Sequence, residues 1–181
     1  MPDSDAAEWI IVAYDLPNEP SKLRVRAWRN FKKLGALYPS VSLCILPDTQ
    51  QVRKEIGQIR SNLSKNGTIL AMSANALEKA DSEQLFSMFQ EDRRKQYAEL
   101  YEECQEFLDE IRENVGKKKI TSEETDELEQ ALEGLERWYE NIREKGYGRK
   151  EDAVKVDKIL EECRNALTSF SEKAQPKEIN R

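Results

Sequence analysis

The chain of 181 residues contains no histidine. That absence removes the commonest general base near neutral pH and the commonest imidazole metal ligand together. Cysteine is sparse: Cys44, Cys104 and Cys163 are scattered, with no Cys-x-x-Cys pair, and an odd number fits a reducing compartment. There is no glycine-rich phosphate loop and no Gly-x-Ser-x-Gly elbow. An enzyme built on a conventional nucleophile and base is therefore not expected, and no cofactor is expected. No window approaches the roughly 18 to 20 apolar residues of a membrane span, so no membrane partner is expected. The segment Met1-Pro2-Asp3-Ser4-Asp5 is acidic and lacks an apolar h-region. It predicts no signal peptide and a cytoplasmic location.

What the chain does have is charge. Charged residues make up 35% and hydrophobic ones 38%, a density that suggests long helices with large wet faces. The net charge of −6 hides a split: residues 8–74 carry +5, residues 75–181 carry −9, and the first seven add −2. A basic front and an acidic back argue for two units with different partners.

The front reads as alternating short apolar runs and amphipathic helices. Trp9-Ile10-Ile11-Val12-Ala13-Tyr14 is a buried strand that stops at Asp15-Leu16-Pro17-Asn18. Pro20 and Ser21 open a helix whose apolar face is Leu23, Ala27, Phe31 and Leu34, with Gly35 as its C-cap. Ala36 to Tyr38 and Val41 to Leu46 read as a hairpin broken at Pro39-Ser40. Asp48 or Thr49 caps a second helix faced by Val52, Ile56, Ile59 and Leu63, and Asn66-Gly67 ends it. Thr68 to Ala74 is a last strand. The order βαββαβ predicts an α+β fold, a ferredoxin-like domain over residues 8–76 with an antiparallel sheet and two helices on one face.

From Asp81 the period changes. Tyr97, Tyr101, Cys104, Leu108, Ile111 and Val115 step by four and three, as do Leu128, Leu132, Leu135, Tyr139 and Ile142, and Val156, Leu160, Cys163, Leu167, Phe170 and Ala174. Breaks fall at Gly116-Lys117-Lys118-Lys119 and Gly146-Tyr147-Gly148, and Ser122 with Glu123 and Glu124 reads as a helix start. Three helices with short connections predict an antiparallel helical bundle over residues 81–175.

Two charged features stand out. On the first helix, Lys22, Arg26, Arg29 and Lys33 fall within about 60° of one another at 100° per residue, opposite the apolar face. Arg24 and Lys32 are read as flanking this ridge, with Trp28 at its border. A row of cations is what phosphate contact needs, and the plain alternative is a solvated helix face. In the third helix Glu91-Asp92-Arg93-Arg94-Lys95 contains adjacent arginines, Arg93 and Arg94, suited to a tetrahedral anion, against wet surface as the alternative. Asp15, at the end of a strand, reads first as a turn residue. All three cysteines read as core positions, Cys104 and Cys163 on helical seams and Cys44 along a strand.

The string Trp9-Ile10, Tyr14, Leu16-Pro17, Pro20-Ser21, Arg24-Val25, Trp28-Arg29, Leu34-Gly35-Ala36 and Leu46-Pro47 resembles the N-terminal region of the chromate-resistance regulator family ChrB. Phe89, Arg93, Tyr97-Ala98-Glu99-Leu100 and Leu135-Glu136-Arg137-Trp138 extend the likeness into the second half. The resemblance implies a regulator of chromate efflux operons, with chromate as an effector; the family's usual form carries a further C-terminal domain. The opening is also similar, more distantly, to the ferredoxin-like unit of phenylacetate-degradation repressors and of small CRISPR-associated nucleases. In those nucleases a strand-end aspartate holds a divalent metal between two protomers, and Asp15 matches its position. The expectation is a non-enzymatic, homodimeric module that binds double-stranded DNA. A metal-dependent nuclease and a protein-interaction scaffold are the alternatives.

Overall fold

The computed structural model describes residues 9–17, 22–115 and 121–174. Their order is β1 (Trp9–Asp15), α1 (Lys22–Lys33), β2 (Leu37–Ser40), β3 (Leu43–Pro47), α2 (Gln50–Leu63), a 3-10 turn (Ser64–Asn66), β4 (Thr68–Ala74), α3 (Lys79–Val115), α4 (Ser122–Glu144) and α5 (Lys150–Ala174). This is an α+β protein, mostly helical, with one four-stranded antiparallel sheet in the order β2-β3-β1-β4. The chain divides into two compact units, one up to Met88 and one from Phe89, so the division falls inside α3.

In the first unit β1 is central. Val12 pairs with Cys44 on one side and Ala71 on the other. Strand alternation sends Ile10, Val12 and Tyr14 to one face, where they join Cys44, Leu46 and Ile69 under Ala27, Phe31, Ile56, Ile59 and Leu63. The α1 spacing thus works as read: Ala27 and Phe31 are fully buried. Pro20 and Ser21 lie outside the described residues. Gly35 adopts a φ of 85°, and it and Ala36 donate to the carbonyls of Lys32 and Phe31 at 2.9 and 3.1 Å, the paired bonds of a Schellman end. Thr49 caps α2, accepting from Val52 N at 3.1 Å, while Asp48 instead grips Arg53 through both carboxylate oxygens.

The hairpin differs from the sequence reading. β2 runs through Pro39-Ser40, and the turn is Val41-Ser42. β2 is an edge strand with a register shift between Leu37 and Ser40, and an edge tolerates the N–H that proline lacks. Tyr14 pins the turn: its hydroxyl donates to the Val41 carbonyl at 3.2 Å and its ring stacks on Phe31 at 5.7 Å.

In the second unit α3, α4 and α5 share one hydrophobic cluster. The seams of α4 and α5 are buried at Leu128, Leu132, Tyr139 and Ile142, and at Val156, Leu160, Cys163, Leu167 and Phe170; the side chain of Ala174 is not among those described. The α3 seam is buried at Tyr97, Cys104, Leu108 and Ile111, as spaced. Leu100, Phe107 and Asn114 turn inward as well, while Tyr101 and Val115 are exposed: the buried partners of Tyr97, Cys104 and Ile111 fall three residues on and not four, the same seven-residue period in another phase. The break at Gly116 to Lys119 lies outside the described residues. Thr121, one residue before the expected start, caps α4 in a reciprocal box with Glu124. Gly148 ends the α4–α5 connection where a β-carbon would meet the Tyr97 ring at 2.8 Å, so only glycine fits.

Candidate nucleic-acid interface

The outer face of α1 is cationic. Lys22, Arg26, Arg29 and Lys33 are all exposed, and the helix contains no acidic residue. Among the described residues none of the four makes an ion pair. Ala27 and Phe31 anchor the opposite side in the core, so the ridge is held outward by packing rather than by its own contacts. Val25 and Trp28 are exposed beside it, at 43% and 46%. Further exposed cations in this unit are Lys54, Arg60 and Lys65, with Arg53 and Lys79 exposed but paired to Asp48 and Glu83.

Two expected ridge neighbours sit elsewhere. Arg24 is half-buried, because at 100° per residue it falls near Phe31 and not beside Arg29. Its charge faces Tyr14. Lys32 is also half-buried, with its ammonium 6.0 Å from the centroid of the Tyr38 ring. Beneath α1, Tyr14, Tyr38 and Cys44 form a buried polar knot. Burial, then the Tyr14 hydroxyl, pushes the Tyr38 phenol far above its usual range, and burial pushes the Cys44 thiol up to about 12. Cys44 is thus a protonated core group.

Asp15 is exposed at the end of β1, opposite Thr68. Among the described residues no group of three or more histidine, cysteine, aspartate or glutamate side chains is placed to hold a metal ion.

The two adjacent arginines of α3 are placed differently from each other. Arg93 is fully buried; its Nε donates to the Gly146 carbonyl at 3.1 Å and an Nη to Asp92. Burial pushes its pKa down and Asp92 pushes it back up. Arg93 therefore ties α3 to the α4–α5 connection, where Tyr147 takes a φ of 62° and packs on Phe89, and is not the open fork that an incoming anion needs. Arg94 is exposed, and its guanidinium holds both oxygens of Glu91 at 2.7 and 2.8 Å. The sequence contained a signal for this. Phe89, Arg93, Tyr97, Leu100 and Cys104 step by four, four, three and four, which puts Arg93 on the buried stripe of α3.

The first unit is thus an α+β module with an unneutralised cationic helix face, and the second an acidic helical unit in which several arginines pair with carboxylates on their own helices. The chain belongs to the family described as Protein ChrB, N-terminal, whose sequence model matches residues 24–179. The match begins at Arg24, after the Trp9 to Ser21 part of the resemblance. Protein ChrB of Cupriavidus metallidurans is 27% identical over 100 residues, which cover 55% of this chain and 30% of that protein. The aligned part thus spans less than a third of the relative's length. No solved structure matches the chain. No described helix is long and apolar enough to cross a membrane.

Proposed function

We propose that this chain is the DNA-contacting module of a chromate-resistance regulator, acting by binding and not by catalysis. One observation carries the reading: four exposed cations on α1 without an acid on the helix to neutralise them. Duplex DNA offers phosphates at the spacing such a row can follow, and each phosphate neutralised releases counterions. Family membership supports the regulatory role, through what the resemblance to ChrB implies. The strand order β2-β3-β1-β4 with α1 and α2 over one face supports a ferredoxin-like arrangement of the first unit. The shared cluster of α3, α4 and α5 supports an antiparallel bundle in the second. We take the working form to be a cytoplasmic homodimer, with chromate as an effector.

Anisotropy of a labelled duplex, titrated with the protein at several salt concentrations, tests the reading. The logarithm of the affinity should fall linearly with the logarithm of salt, by about 0.9 per phosphate contact. Absence of duplex binding at low salt sinks it. A nuclease reading would rest on Asp15, exposed at the end of β1. Mg²⁺- or Mn²⁺-dependent cleavage that is lost in Asp15→Asn would promote it.

A further inference from the structure

Cys104 on α3 and Cys163 on α5 are both fully buried in the cluster of the second unit. The Cys163 thiol donates to the Cys104 carbonyl at 3.5 Å, which seats the Cys163 sulfur against Cys104. They are 59 positions apart in sequence, so the packing of two helices alone brings them together. Either one singly is a small core residue; a thiol seated against a second cysteine across a helix pair brings two thiols into one place. Cys44, the remaining cysteine, belongs to the core of the other unit.

We propose that Cys104 and Cys163 are a redox-modification site, converted by a peroxide-class oxidant into a reversible disulfide that ties α3 to α5. The Cys104 thiolate attacks one peroxide oxygen, the O–O bond breaks, and a sulfenic acid forms on Cys104 as water leaves. The Cys163 sulfur then attacks the Cys104 sulfur, the S–O bond breaks, and a second water leaves. Two thiols and one hydrogen peroxide give one disulfide and two waters: the sulfurs lose two electrons and the peroxide gains them. The hydrogen bonding assigns the roles. The Cys163 proton is engaged by the Cys104 carbonyl, while the Cys163 side chain lowers the Cys104 pKa against the opposing effect of burial and Cys163 itself is pushed up. Cys104 is therefore the attacking sulfur and Cys163 the resolving one. With neither sulfur exposed, a molecule as small as hydrogen peroxide suits the site better than a bulky disulfide reagent.

The test is cysteine mapping on the full chain. Reduced protein is treated with hydrogen peroxide, unfolded in an alkylating agent, and digested for mass spectrometry. The expected result is a linked peptide pair carrying Cys104 and Cys163, about 2 Da below the sum of its parts, with Cys44 alkylated. Dithiothreitol should return all three cysteines to the alkylated form. In Cys163→Ala, dimedone should label Cys104, and Cys44→Ala should leave the linkage unchanged. Alkylation of all three cysteines after peroxide overturns the proposal, as does a linkage that includes Cys44. If Cys163→Ala does not fold, the map of the parent chain decides alone.

Discussion

Helix α1 of the first unit and the helices of the second use arginine in opposite ways, although Arg53 on α2 does pair with Asp48. In the second, Arg94, Arg112, Arg137, Arg143 and Arg164 each hold a carboxylate three or four residues earlier on the same helix: Glu91, Asp109, Glu133, Glu140 and Glu161. In the first, Arg26 and Arg29 have the same helical spacing available to them, but α1 reads KLRVRAWRNFKK and supplies no acid. Such pairs contribute only a few tenths of a kcal/mol each to a helix, so their presence changes stability little. Their larger effect is on what the surface offers outward. Paired charges present a mixed, nearly neutral face, while an unpaired row keeps its field for an external anion. Acid spacing, more than arginine content, separates the two units.

The largest effect expected from breaking this contrast is at Arg93, a fully buried arginine that fits neither pattern. Arg93→Ala should destabilise the protein by about 3 kcal/mol, because it removes a buried cation with its bond to Asp92 and leaves the Gly146 carbonyl without its guanidinium donor. A urea midpoint that barely moves would show that the tie across α3 and the α4–α5 connection carries no stability. Arg94→Ala, one residue away, should leave the melting temperature unchanged, since its pair with Glu91 is exposed. Equal losses from the two variants would erase the distinction drawn between them.

A smaller loss is expected at the capping box. Thr121→Ala should cost about 1 kcal/mol, by freeing the Glu124 amide at the start of α4. The readout is the same urea midpoint, with the salt dependence of DNA binding unaltered. A change in that dependence would mean that the helical unit also meets the nucleic acid.

The comparison can be sharpened by giving α1 what it lacks. Val25 is exposed and four residues before Arg29, so Val25→Glu builds in the first unit the pairing that pervades the second. Stability should change by no more than about 0.5 kcal/mol. The slope of log affinity against log salt should shrink by about one unit, as it would on removal of one phosphate contact. An unchanged slope with normal folding would place the contacts away from Arg29.

Much of the fold was legible because burial imposes a period. β1, α2 and β4 lie where the apolar runs and steps put them, and Ala27 and Phe31 are buried as their spacing requires. The misreadings share a cause, in that a neighbouring element overrode a local rule. Pro39 reads as a break until β2 proves to be an edge strand, where its missing N–H costs nothing. Tyr101 and Val115 fit a heptad, but so do Leu100, Phe107 and Asn114 in the neighbouring phase, and the packing of the helical unit buries the second set. Charge was legible in amount and not in environment. Arg24 looked like part of the ridge until its helical angle placed it by Phe31, and Arg93 looked wet because it stands among four other charged residues. The exposed ridge itself needed only the wheel, since it lies opposite the apolar face that packs into the core.

The most direct test of the central claim is the salt dependence of duplex binding by the fourfold variant Lys22→Ala, Arg26→Ala, Arg29→Ala, Lys33→Ala, measured beside its melting curve. If the α1 face contacts phosphate, the variant should melt close to the parent while its log–log slope falls by up to about 3.6 units, at about 0.9 per lost contact. A variant that folds normally and binds duplex DNA with the parent's slope would show the ridge to be a solvated face and contradict the account.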